Sequence, residues 1–221
     1  MTALRVLLAD DHPIVRDGLK MLLEMHPDIT VIAEADNGHQ ALEMAAASCP
    51  DIAILDIGMP EMNGIDCAAA MSGVCPYTRV IMLSIHGTSE YIIRSIQAGA
   101  RGYLLKDSLS KEIVRAIHRV MDGQYVVSKK ISDTLSAMDV DLQRVSAVPD
   151  KSPLARLAPQ ERRVLQHVVE GLTSVEIASM LSLSPKTIET YRSRIMGKLG
   201  VENITELVKF AITHGVTSLD T

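Results

Sequence analysis

The hydrophobic positions of this chain fall into two regimes. Over the first half, short apolar runs alternate with amphipathic stretches. Residues 4–9, 29–33, 52–55, 80–83 and 102–105 are continuous apolar runs. Unbroken runs of this length predict parallel strands covered on both faces. Between them lie helical patterns. The clearest is the stripe Ile14, Val15, Gly18, Leu19, Leu22, Leu23, which recurs at helical spacing. Others span 38–47, 64–71, 90–98 and 111–121. Five β-α units imply a doubly wound parallel sheet of five strands with right-handed crossovers. Ligands of such sheets sit at the C-terminal strand ends, near a switch point in strand order.

Beyond Gly123 the pattern weakens. Ile131, Leu135, Met138 and Leu142 allow one helix over 129–144. Residues 146–153 are polar and hold two prolines, so a flexible linker is expected there. The last part carries four short helical patterns, over 159–170, 174–181, 185–199 and 204–214. Their ends are marked. Gly171, Gly200 and Gly215 follow helices as stops. Ser184-Pro185 supplies a cap followed by Pro at the first helical position. Asn203-x-x-Glu206 is a capping-box variant. The expected architecture is an α/β domain over 1–122, a linker of helical character over 123–153, and an all-α four-helix domain over 154–221.

Composition narrows the picture. Of 221 residues, 47% are hydrophobic, yet Trp is absent and Phe210 is the one Phe, so the core must be aliphatic. No apolar run approaches the roughly 20 residues that a membrane span needs. The N-terminus has no signal-peptide pattern. Cys49, Cys67 and Cys75 are an odd number without C-x-x-C spacing. That argues against a disulfide framework or zinc site and for a reducing, cytoplasmic setting. Charge is uneven. Residues 1–122 hold 10 Lys and Arg against 16 Asp and Glu, a net of −6. Residues 154–221 hold 8 against 7, a net of +1. Two domains with different partners are implied. In the second, Lys186, Arg192, Arg194 and Lys198 share a segment with a single acid, Glu189.

The candidate chemistry lies at strand ends. Asp10 and Asp11 close the first strand, Asp56 the third, Ser84 the fourth and Lys106 the fifth. In a parallel sheet these ends share one edge. Three neighbouring carboxylates need a cation, and oxygen-only ligands suit Mg²⁺. Mg²⁺ with a nearby Lys is what phosphoryl transfer requires, and Asp can be the nucleophile.

The segments LLADDHPIVRDGL (7–19), PDIAILDIGMPEMNG (50–64), VIMLSIHG (80–87) and AGARGYLLKD (98–107) resemble the receiver domain of two-component response regulators, a flavodoxin-like fold. The resemblance implies that Asp56 accepts phosphate from a sensor histidine kinase. It implies that Asp10 and Asp11 hold Mg²⁺ with Asp56 and the Gly58 carbonyl. Lys106 would contact the phosphate, Ser84 would move to bond it, and Tyr103 would reorient. Pro60 and Gly64 are read as loop-shaping. In this class the positions of Gly58 and His86 help set phosphate lifetime; His86 is equally a plain loop residue. Asp107 stands where many receivers carry Pro after a cis bond, so the isomer here stays open.

Residues 157–212 resemble the LuxR-type helix-turn-helix. Receiver plus this module makes the NarL/FixJ class of response regulators. The resemblance implies a scaffold helix over 174–181, a recognition helix over 185–199 and a dimerising helix over 204–214. Short polar and basic side chains on one helix face suit a major groove. Glu189, Thr190 and Ser193 are candidates for base edges. Lys186, Thr187, Arg192, Arg194 and Lys198 are candidates for phosphates. Glu161 is read as a structural acid. Ala158 stands where a Thr or Ser cap is usual, which costs the first helix about 1 kcal/mol. Val175 replaces a commonly polar residue.

The expected function is a non-enzymatic, phosphorylation-switched transcription regulator. Phosphorylation would relieve inhibition and favour a homodimer on double-stranded DNA, with RNA polymerase a further conceivable partner and no membrane contact. Three rivals stay open: a Mg²⁺-dependent phosphatase or phosphotransferase acting on a small molecule, a protein-interaction switch whose tail binds no DNA, and control by dimerisation without phosphorylation.

Overall fold

The computed structural model describes residues 3–137, 141–147, 152–214 and 216–217. It divides into two compact units, residues 1–149 and 150–221. Among the described residues, no helix is long and apolar enough to cross a membrane.

The first unit is built on parallel strands: β1 (Leu4–Ala9), β2 (Ile29–Ala35), β3 (Ile52–Asp56), β4 (Arg79–Ser84) and β5 (Ala100–Leu105). Between and after them run α1 (Pro13–Glu24), α2 (Gly38–Ser48), α3 (Gly64–Val74), α4 (Ser89–Gln97) and α5 (Leu109–Met121). The order in the sheet is β2-β1-β3-β4-β5, extended past β5 by a sixth short strand, β6 (Val126–Val127). The expected sheet of five strands therefore gains one. Gly123 takes a positive φ of 83°, turning the chain so that Val126 and Val127 pair with Gly102 and Tyr103. Two residues are too few to register as a periodic run.

Alternate residues of each strand feed two cores. Val6, Leu8, Ile54 and Leu83 face α1 and α5. Leu7, Ala53, Leu55 and Met82 face α2, α3 and α4. Both faces are covered, which is why the strands read as continuous apolar runs. Ile14 leaves its expected stripe and is 87% exposed. It lies in the first turn of α1, whose burial begins at Leu19.

The connector differs most from expectation. Instead of one helix over 129–144 there are two, α6 (Lys129–Ala137) and α7 (Leu142–Ala147). Met138 and residues 148–151 lie outside the described residues. Ile131 and Leu135 are buried in the core shared by α2, α3 and α4, with Leu142 and Val145 packed against it. Residues 129–137 and 141–147 are thus docked structure of the first unit.

The second unit contains α8 (Pro159–Val169), α9 (Ser174–Met180), α10 (Pro185–Leu199) and α11 (Ile204–Thr213). Val164, Leu165, Ile177, Ile188, Ile195, Leu207 and Ala211 form its own core. The expected caps are present: Ser184 Oγ accepts from Thr187 N at 3.1 Å, and Asn203 Oδ1 accepts from Glu206 N at 3.0 Å. Gly200 closes α10 at φ 71°. Gly215 lies outside the described residues. The turn between α9 and α10 uses Ser182 at φ 55°.

Removing the side chain of Ile131 tests the connector's docking. Ile131→Ala should lower the stability of the first unit by about 2–4 kcal/mol, read by urea unfolding. A surface-lying linker would show no change.

Candidate functional site

The ladder pairs Asp56 with Leu83 and Ser84 with Leu105, and Ala9 with Leu55. The residues at and just beyond these points therefore meet at one sheet edge. Lys106 Nζ lies 2.8 Å from Asp10 Oδ2 and 3.0 Å from Asp56 Oδ1. Asp10, Asp11, Asp56 and His12 bring ligand atoms within 4.8 Å of one another. Asp10 and Asp56 are buried; Asp11 is half-buried and His12 exposed. His12 was not expected in the cluster. Its Nδ1 lies 2.8 Å from Asp11 Oδ1, and its backbone N donates to Asp10 Oδ1 at 2.9 Å. Its only signal in the sequence is adjacency to the acidic pair. Arg16 adds a bond from Nη1 to the Asp10 carbonyl at 2.6 Å.

Burial and the neighbouring Asp10 charge push the Asp56 carboxyl from 3.8 up to about 6, against the pull of Lys106. Burial works against the Lys106 charge, but the Asp56 and Asp10 carboxylates outweigh it and hold the ammonium above its ordinary value. The pocket is a crowded set of carboxylates restrained by one amine.

The loop after β3 is shaped by close approach. A Cβ on Gly64 would stand 2.0 Å from the Asp56 carbonyl oxygen, so no other residue fits without moving the acceptor. Gly64 N in turn donates to Ile57 O at 3.1 Å. Gly58 lies within this closed loop, half-buried.

On the other side of the pocket, Ser84 is buried and its Oγ accepts from His86 N at 2.9 Å. Tyr103 is fully buried and donates from its hydroxyl to His86 O at 2.7 Å. The His86 ring sits against Tyr91 of α4, centroids 5.1 Å apart. His86 is therefore tied into the structure and is no free loop residue. Tyr103 O accepts from Ser128 N at 3.1 Å, and Ser128 Oγ accepts from Leu105 N at 3.1 Å. The connector is thus bonded to the residues beside Lys106. The bond between Lys106 and Asp107 is not cis, and no cis peptide occurs among the described residues.

In the second unit, α10 buries Ile188 and Ile195. It exposes Lys186, Glu189, Thr190, Ser193 and Arg194 on the outward face. Thr187 is partly taken up by the cap, its Oγ1 2.8 Å from Ser184 Oγ. Arg192 Nη1 donates to Ser174 Oγ on α9 at 3.2 Å, which fixes the two helices of the turn together. Lys198, exposed near the end of α10, also has a structural partner: its Nζ lies 2.5 Å from Oε2 of the buried Glu161. The Lys198 bond holds the Glu161 carboxyl below its ordinary value. The same Oε2 accepts from Ala158 N at 2.8 Å. Ala158 itself makes no side-chain cap bond, so Glu161 supplies the half of the capping box that survives.

The two units match two known patterns. The response regulator receiver domain matches residues 6–118, just over half of the chain. The luxR family of bacterial regulatory proteins matches residues 155–211. The chain is 38% identical over 215 residues to the transcriptional regulatory protein MctR of Rhizobium johnstonii, covering 97% of this chain and 96% of that one. This chain belongs to the LuxR-type response regulators. It is 32% identical to the nitrate/nitrite response regulator NarL of Escherichia coli K12, over 91% of both chains. It is also similar to the solved structure of two RcsB dimers bound to two parallel DNAs: 25% identity, TM-score 0.58, 96% of this chain and 99% of that one. The LuxR-type response regulators are DNA-binding, non-enzymatic regulators of transcription. The phosphatase alternative is thereby set aside.

Two outcomes check this geometry. In magnesium-free buffer, the raised carboxyl of Asp56 costs stability above pH 6 and nothing below about 3.8. Asp56→Asn should therefore be more stable than the parent by about 1–3 kcal/mol at pH 7.5, the difference closing toward pH 4. Thermal unfolding across that range measures it. Lys198→Met should lower the stability of the second unit by about 1–2 kcal/mol, a discount from a fully buried pair because Lys198 is 40% exposed. The depressed Glu161 carboxyl stabilises fully above about pH 4.5 and less as pH falls through its folded value. That acid sensitivity should be shallower in the variant.

Proposed function

We propose that Asp56 accepts a phosphoryl group from a sensor histidine kinase and that this modification controls DNA binding by the second unit. The observation that supports it is Lys106 bridging Asp10 and Asp56 at the sheet edge. A buried carboxylate with its charge disfavoured by Asp10 is poised to become a mixed anhydride, while an ammonium stands ready for the new phosphate oxygens.

The oxygen-rich donor set suits Mg²⁺, which would relieve the Asp10 repulsion that, after burial, raises the Asp56 carboxyl. Asp10, Asp11, Asp56 and the Gly58 carbonyl would hold it. When bound, it supplies charge neutralisation for the transferring phosphoryl group. The residues of this chain then respond. The Asp56 oxygen attacks phosphorus, and the donor's imidazole departs. Lys106 exchanges Asp56 for a phosphate oxygen. Ser84 turns its hydroxyl to the phosphate and gives up His86 N, which loosens the loop that Tyr103 holds through His86 O. Because Tyr103 and Leu105 are bonded to Ser128, the change reaches the connector.

We assign residues 1–122 as the receiver and 154–221 as the DNA-binding domain. Lys186, Thr187, Arg192 and Arg194 are the proposed phosphate contacts; Glu189, Thr190 and Ser193 face the base edges. Lys198 is reassigned to holding Glu161. Phosphorylation relieves inhibition and favours a homodimer on DNA, with α11 the proposed dimerising helix.

The full chain should bind its DNA fragments more tightly with beryllofluoride and Mg²⁺ than without, by about tenfold, the range of ordinary allosteric coupling. Asp56→Asn should abolish the response while leaving basal binding intact. Equal affinity in both states, with Asp56 labelled, points to control by dimerisation without phosphorylation.

A further inference from the structure

The sequence separates Cys49 and Cys75 by 26 positions, but the fold does not. Cys49 ends α2 in a left-handed conformation, φ 40°. Cys75 ends α3. The two helices pack side by side, and both end at the edge of the sheet where β3 and β4 begin. Their sulfur atoms are 2.6 Å apart, about half an ångström beyond a disulfide bond. Cys49 is exposed and Cys75 buried. Cys75 Sγ donates to Ala45 O at 3.1 Å, which fixes its sulfur beside Cys49. Arg5 holds the end of α2 through the carbonyls of Ser48 and Cys49, at 2.6 and 3.3 Å.

We infer that Cys49 and Cys75 are a redox modification site that closes to an intramolecular disulfide when the chain meets a peroxide. The Cys49 thiolate attacks one peroxide oxygen. The O–O bond breaks, Cys49 becomes a sulfenic acid, and the other oxygen leaves as water. The Cys75 sulfur then attacks the Cys49 sulfur. The S–O bond breaks, the thiol proton of Cys75 goes to the departing hydroxide, and a second water leaves. Two sulfurs lose two electrons in total, and the peroxide is reduced to two waters.

The division of roles follows from access. Cys49 faces solvent and reacts first. Burial pushes the Cys75 thiol up, so it waits as the resolving partner. Cys67 is buried elsewhere on α3, its thiol pushed up to about 12 by burial, and stays reduced. The bond would staple the ends of α2 and α3, closing a loop in the unfolded chain as well. The acidic pocket lies at the opposite edge of the sheet, so phosphoryl uptake at Asp56 remains available in the oxidised protein.

The test uses the full chain, reduced and then treated with hydrogen peroxide. Free thiols counted in denaturant should fall from three to one, with the protein still monomeric on a non-reducing gel. Peptide mapping should join the Cys49 and Cys75 peptides, lighter by two hydrogens, with Cys67 alkylated. The melting temperature should rise by about 5–10 °C, and dithiothreitol should reverse both changes. Cys67→Ser should lose both remaining thiols to the bond. Cys49→Ser, a change at an exposed position, should retain both of its thiols. Persistence of all three thiols, a Cys49 sulfinic acid as the end product, or dimers linked through Cys49 would each overturn the inference.

Discussion

The arrangement on which the rest depends is the contact of one ammonium with two buried carboxylates. Lys106 comes from the end of β5, Asp10 from the end of β1 and Asp56 from the end of β3. None of the three is close to another in sequence. They meet because parallel strands end at a common edge, and two packed cores, one on each face, hold those strands in register. Burying like charges together is unfavourable, and the raised Asp56 carboxyl measures that tension. Lys106 restrains it without removing it. The site is therefore sensitive to any change in charge at Asp56, which is the property a phosphorylation switch needs.

The surroundings convert that sensitivity into something the chain can transmit. Ser84 holds the backbone of His86, Tyr103 holds its carbonyl, and Tyr91 meets its ring. The connector joins the same group through Ser128, which also bonds Glu112 of α5 at 2.6 Å. Ile131 and Leu135 then bury the start of α6 in the receiver core. The segment from Ser128 to Leu135 is thus an extension of the first unit's core, anchored beside the pocket.

The second unit follows a different economy. Its helix α10 keeps a polar outward face by placing its bulk, Ile188 and Ile195, in the core. Two of its cations serve structure as well as surface. Arg192 ties α10 to α9, and Lys198 compensates the buried Glu161 of α8. Removing an expected cap at Ala158 is offset by Glu161 accepting the Ala158 amide. One buried acid therefore serves the start of α8 and the position of α10 together.

Much of this was legible along the chain. Unbroken apolar runs identified the five main strands, because strands covered on both faces leave no polar alternation. Strand-end positions of Asp10, Asp11, Asp56, Ser84 and Lys106 located the pocket, because a parallel sheet aligns its ends. Caps at Ser184 and Asn203 marked helices, because capping is local. What depended on distance through space was not legible. The strand Val126–Val127 exists only where β5 offers an edge. Burial of Ile131 needs α4 and β5 beside it. The pairing of Lys198 with Glu161, and the meeting of Cys49 with Cys75, arise where helices from separate parts of the chain end side by side. Local pattern determines which elements form, since propensity and periodicity act over a few residues. Which side chains touch across those elements is decided by packing, which the order of residues encodes only through the whole fold.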